Sequence, residues 1–186
     1  MFETSCSYQL KINRQFDENE LSKGIYIAII HATRIPPHIG LIINGNYCSL
    51  SIKGRDINAP VGALIKNSII RKIPTVFVKI KPHSTFSDIY LLEHFIMDIQ
   101  QFPRVDIGIA TCLSPIKLFF EETYNISIKD VNYIYELLPV LESEGLTESA
   151  ASMFIDVENY QLPFYTNTEI NKGIEAVRAE FKSDKK

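Results

Sequence analysis

The sequence predicts an α+β fold: a small, mostly antiparallel sheet packed against several helices. Three observations carry this. The first half holds short β-branched runs joined by tight turns. The second half is dominated by segments with apolar residues at helical spacing. The two kinds do not alternate one for one, as a doubly wound parallel sheet would require. At 186 residues the chain suits a single domain, 1–186. Its expected core runs from about 24 to 145, with a C-terminal helical extension from about 146 to 186.

Residues 7–16 carry Tyr8, Leu10, Ile12 and Phe16, a first strand or ordered arm. Asp17 to Lys23 is polar and turns at Gly24. Ile25 to Ile30 is a continuous β-branched run, so a strand buried on both faces is expected. Pro36 and Pro37 break the chain before a second strand, His38 to Ile43. Asn44-Gly45-Asn46 is a strong hairpin signal. A third strand then runs from Tyr47 to Lys53, with Gly54 ending it. Ala59 to Lys72 has helical spacing through Val61, Leu64, Ile65 and Ile69, and Pro74 closes it. Thr75 to Ile80 reads as a fourth strand.

Ser87-Asp88 caps a helix whose apolar stripe is Ile89, Leu92, Phe95, Ile96 and Ile99. On that helix Asp88, Glu93 and Asp98 are expected on the solvated side. Val105 to Ala110 reads as a short strand or extended run. Thr111-Cys112-Leu113-Ser114-Pro115 then opens a helix reaching Tyr124, since proline is tolerated in a first turn. Lys129 to Glu144 is amphipathic and interrupted near Pro139. Residues 159–167 read as loop, and a last helix spans Glu169 to Phe181.

The composition excludes several classes. A net charge of −3 supplies no basic field for nucleic acid. The N-terminus has no secretory apolar region, and no apolar run is long enough to span a bilayer, so no transmembrane segment and a cytoplasmic location are expected. Cys6, Cys48 and Cys112 are an odd set without a Cys-x-x-Cys pair, which argues against a zinc ribbon, a dithiol motif or a disulfide framework. No phosphate-binding glycine loop is present. No cofactor and no metal are expected, and oligomeric state is not legible.

Two residues stand out chemically. Cys112 lies between an extended run and a helix start, where unpaired N–H groups and the helix dipole favour a thiolate and can hold an oxyanion. The competing reading is a buried cysteine acting as a small hydrophobe. His38 opens a strand after two prolines, a rigid and partly shielded place for a base. Its competing reading is a strand-end histidine bonded to a backbone carbonyl. His31 ends the preceding strand and neighbours His38 across two strands. His83 sits in a Pro-rich turn, His94 lies within a helix, and Glu121-Glu122 reads as a solvated face.

The stretch Gly24-Ile25-Tyr26-Ile27-Ala28-Ile29, then Pro37-His38-Ile39-Gly40-Leu41-Ile42-Ile43-Asn44-Gly45-Asn46-Tyr47, resembles the opening of the permuted papain-like cysteine hydrolases. These are the NlpC-type relatives that include the lecithin:retinol acyltransferase group. Thr75 to Ile80 and the Thr111-Cys112-Leu113-Ser114 helix start continue the likeness, which covers about Gly24 to Tyr124. In that family the histidine precedes the cysteine, as here. The resemblance implies His38 as base and Cys112 as nucleophile. The third member, usually His, Glu or Gln, would fall near Ser49, with Ser51 and Asn46 as substitutes. Serine there is a departure, and so is Ile25 where the family has Asp. The resemblance thus implies a thiol-dependent amidohydrolase, peptidase or acyltransferase acting on an amide- or ester-containing substrate, peptide or lipid. The alternative is a non-catalytic binding or scaffold module on the same fold.

Overall fold

In the computed structural model, which describes residues 8–156 and 158–183, the chain runs through β1 (Gln9–Lys11), a 3-10 turn (Glu18–Ser22), β2 (Ile25–Ile30), β3 (His38–Ile43), β4 (Asn46–Ser51) and β5 (Gly54–Pro60). Then follow α1 (Val61–Arg71), β6 (Thr75–Ile80), α2 (Asp88–Gln100), α3 (Ser114–Tyr124), α4 (Ile134–Ser143), β7 (Thr147–Met153), β8 (Asn159–Gln161) and α5 (Asn167–Ser183). Cys6 lies outside the described residues. The fold class is α+β, with an antiparallel six-stranded sheet ordered β5-β4-β3-β2-β6-β7 and a separate β1-β8 pair. Among the described residues, no helix is long and apolar enough to cross a membrane.

The unbroken apolar run of β2 follows from its place between β3 and β6. Alternate side chains of a strand point to opposite faces. Ile25, Ile27 and Ile29 enter the larger core, with Leu91 and Phe95 of α2, Ile116 and Phe119 of α3, and Leu137 and Leu141 of α4. Tyr26, Ala28 and Ile30 enter the smaller core, with Leu21, Phe77, and Val61 and Ile65 of α1. A strand covered on both sides needs no polar face. The β3–β4 turn matches its sequence signal: Asn44 and Gly45 both have positive φ, 50° and 78°, as a two-residue type I′ hairpin turn demands.

Several expectations are corrected. The third strand ends at Ser51 rather than Lys53, and Gly54 opens a further strand, β5, which pairs with β4. Val105 to Ala110 is no strand but a turn closed by one bridge between Asp106 and Ala110, with Gly108 at φ 69°. The segment after residue 146 is not a helical extension. β7 is an edge strand of the main sheet, β8 pairs with β1, and Ile174 of α5 joins the larger core. The buried face of α2 is rotated from the expected stripe. Leu91, Phe95, Asp98 and Ile99 are buried, whereas Ile89 is 63% exposed.

Candidate active site

The hairpin that carries His38 and the turn that carries Cys112 meet at one end of the sheet. Both residues border a cavity of about 490 Å³, a size suited to a small ligand. Its lining is largely apolar, with Ile35, Pro36, Ile39, Ile52, Val105 and Leu113 from the sheet side. Ile170, Gly173, Ile174 and Val177 of α5 border it too. This explains the alternation of apolar and charged residues along α5: one side faces the cavity. Arg178 anchors the helix by a salt bridge to Asp106.

The turn before α3 is fixed by its own side chains. Thr111 N–H donates to Ser114 Oγ at 2.9 Å, and Leu113 N–H donates to Thr111 Oγ1 at 3.2 Å. Pro115 stands in the first turn, where no N–H is needed. The Cys112 sulfur is thereby held against backbone amides. The N–H groups of Ile39, Cys112 and Leu113 face it and pull its pKa down. Ile39 is the residue next to His38, and both line the cavity with Cys112. Burial nonetheless outweighs the amides, and the thiol is pushed above its ordinary value of 9.0. The expectation of a thiol that ionises early is overturned because the site is desolvated.

His38 sits at the start of β3, and its Nε2 lies 3.2 Å from Ser49 Oγ. Ser49 Oγ in turn donates to Asp56 Oδ2 at 3.3 Å. The serine proton is committed to the carboxylate, so Ser49 accepts from Nε2–H. The relay therefore sets the imidazole tautomer and leaves Nδ1 with the lone pair. Burial lowers the His38 pKa to about 4; the Asp56 charge opposes this and His31 adds to it. Ser51 and Asn46 are occupied elsewhere. Ser51 Oγ donates to Gly54 O at 3.1 Å, and Asn46 Nδ2 donates to Asn44 O at 3.0 Å.

Asp56 is the residue that sequence reading missed. It lies on β5 directly opposite Ser49, brought there by a bulge between Tyr47 and Ser49 of β4. Bulges re-aim side chains beside functional sites. The same irregularity places Asn58 N–H 3.3 Å from the Cys48 sulfur. Cys48 is fully buried in the larger core, away from the cavity, and reads as a core cysteine. Gly40 on β3 is glycine for a steric reason: a Cβ there would stand 2.5 Å from Tyr47 Cε2 and 2.9 Å from the Cys48 carbonyl oxygen.

The two potential partners are both neutral at rest. Burial favours the neutral form of each: it lowers the His38 pKa to about 4 and raises the Cys112 thiol.

The remaining histidines divide. His31 borders the same cavity, with its pKa lowered by burial and by Arg34 and Arg71. His83 is engaged structurally: Nδ1 accepts from Thr85 and Phe86 N–H, so Nε2–H donates to Thr123 O at 2.9 Å. His94 pairs with Glu122 at 3.0 Å, and neither residue lines the cavity. No protein-family model matches the chain, and neither a curated protein nor a solved structure matches it.

Proposed function

We propose that this chain is a thiol-dependent amidohydrolase, peptidase or acyltransferase built on the permuted papain-like plan. The observation that carries the reading is the relay from His38 Nε2 through Ser49 to Asp56, beside a cysteine at a helix start that borders the same cavity. A core histidine bonded to a backbone carbonyl would need no such chain.

Cys112 sulfur attacks the carbonyl carbon of an amide or ester while its proton passes to His38 Nδ1. Concerted transfer suits a neutral pair, because no free thiolate has to be stored. The amides beside the sulfur donate to the oxygen as it gains charge. Collapse expels the amine or alcohol, which takes the proton from Nδ1, and leaves a thioester on Cys112. Water or an acceptor nucleophile, deprotonated by His38, then attacks the thioester and returns the thiol. Asp56 acts one step behind Ser49, stabilising the transient imidazolium by its charge. The apolar cavity favours a substrate with an apolar portion, peptide or lipid.

The test is a panel of activated esters and thioesters. Acyl transfer by wild type that vanishes in Cys112→Ala supports the reading; equal turnover in both refutes it. The raised Cys112 thiol favours a second reading, a binding module with a dormant site. It predicts no turnover and alkylation of Cys112 no faster than that of Cys48.

A further inference from the structure

We propose that His94, Asp98 and Glu122 form a binding site for one zinc-class divalent cation that clips α2 to α3. His94 and Asp98 are one turn apart on α2, so their side chains share a face. Glu122 reaches them from α3. His94 Nε2 lies 3.0 Å from Glu122 Oε2 and 3.8 Å from Asp98 Oδ1. One ligand atom from each residue falls within 4.8 Å of the others. At zinc–ligand distances near 2.0–2.2 Å, tetrahedral donors stand about 3.4 Å apart. The His94–Glu122 and His94–Asp98 spacings bracket that value.

An independent observation points to a ligand. The Asp98 side chain is 1% exposed, and its Oδ2 has no hydrogen-bond partner among the described residues. A buried carboxylate oxygen without a partner is costly and rare unless something compensates it. Asp98 occupies a position on α2 that an apolar residue would fill more cheaply. Glu122, 46% exposed, opens the cluster to solvent and leaves room for water as a fourth ligand. One imidazole and two carboxylates form a donor set that zinc accepts and that offers no thiolate. Glu122 stands about 12 Å along α3 from Ser114, where the helix begins, at about 1.5 Å per residue. The cation would therefore be structural, holding α3 and with it the turn that presents Cys112.

The experiment titrates zinc into the metal-free full chain. Stoichiometry is read by competition with a chromophoric chelator, and stability by thermal unfolding. Cobalt(II) serves as the spectroscopic probe. The expected result is one equivalent bound, a higher Tm with zinc, and cobalt d–d bands without thiolate-to-metal charge transfer. His94→Ala and Glu122→Gln should each weaken binding at least about tenfold, as loss of metal-site partners commonly does. Glu122→Gln lies at the surface, so it reads out binding even if His94→Ala folds poorly. Folded wild type that binds no zinc would overturn the proposal. So would binding undiminished in Glu122→Gln, or a thiolate charge-transfer band.

Discussion

Replacing His38 by glutamine should flatten part of the acid dependence of stability. Folded His38 takes up its proton only near 4, against 6.5 in an unfolded chain. Between those values the unfolded chain binds the extra proton, so stability falls as pH falls. The full contribution is present above 6.5 and gone below about 4. The interval from 6.5 to about 4 corresponds to at most about 3 kcal/mol at about 1.4 kcal/mol per tenfold. Glutamine can still donate to Ser49 but cannot take up a proton. The assay is urea unfolding of wild type and His38→Gln across the range from above 6.5 down to 4. Wild type should lose up to about 3 kcal/mol relative to the variant on the acid side. Asp98, raised by burial, is common to both proteins and cancels in the difference. A difference that stays constant across the range would refute the desolvated, neutral His38.

Thiolate ultraviolet absorbance attributable to Cys112, taken as wild type minus Cys112→Ala, should appear at higher pH than that of an ordinary thiol, because burial raises its pKa; a clear thiolate at neutral pH would contradict the burial argument. Asp56→Asn should lower the His38 pKa further, because the Asp56 charge raises it, and should reduce acyl transfer by about 10–100-fold, as loss of a supporting partner typically does. Histidine NMR titration and the ester panel check the two parts. Ser49→Ala leaves a buried ring N–H unpaired and should cost about 1–3 kcal/mol of stability, measured by denaturant unfolding. Gly40→Ala drives a methyl into Tyr47 and the Cys48 carbonyl and should destabilise by about 1–3 kcal/mol or more, with a lower Tm.

The strands that were legible are those whose side chains decide their own fate. β2, β3 and β6 are β-branched runs bounded by Gly or Pro, and their observed limits follow those signals closely. β5 and β7 were not legible, because Gly54-Arg55-Asp56-Ile57-Asn58-Ala59-Pro60 and Thr147-Glu148-Ser149-Ala150-Ala151-Ser152-Met153 hold one β-branched strand former each, Ile57 and Thr147. They are strands by pairing with a strong neighbour, where tertiary context overrides propensity. The site inherits this asymmetry. Ser49 was found because it lies on a readable strand. Asp56 was missed because it sits on the unreadable one, aligned only by a bulge. Reading the Cys112 thiol from the helix start alone gave the wrong direction, since the burial that raises it is set by how the elements close around the cavity. Asp98 misled in a similar way: polarity placed it on the solvated face of α2, whereas it is 1% exposed.

The central claim is that His38 activates Cys112 toward an acyl donor. The most direct measurement is the rate at which an activated thioester acylates Cys112, read by intact mass and peptide mapping, in wild type and His38→Gln at neutral pH. The adduct should form on Cys112 and not on Cys48, and His38→Gln should slow it by about 10²–10⁴-fold, the usual worth of a general base. Equal rates in the two proteins, or an adduct on Cys48 as readily as on Cys112, would contradict the account.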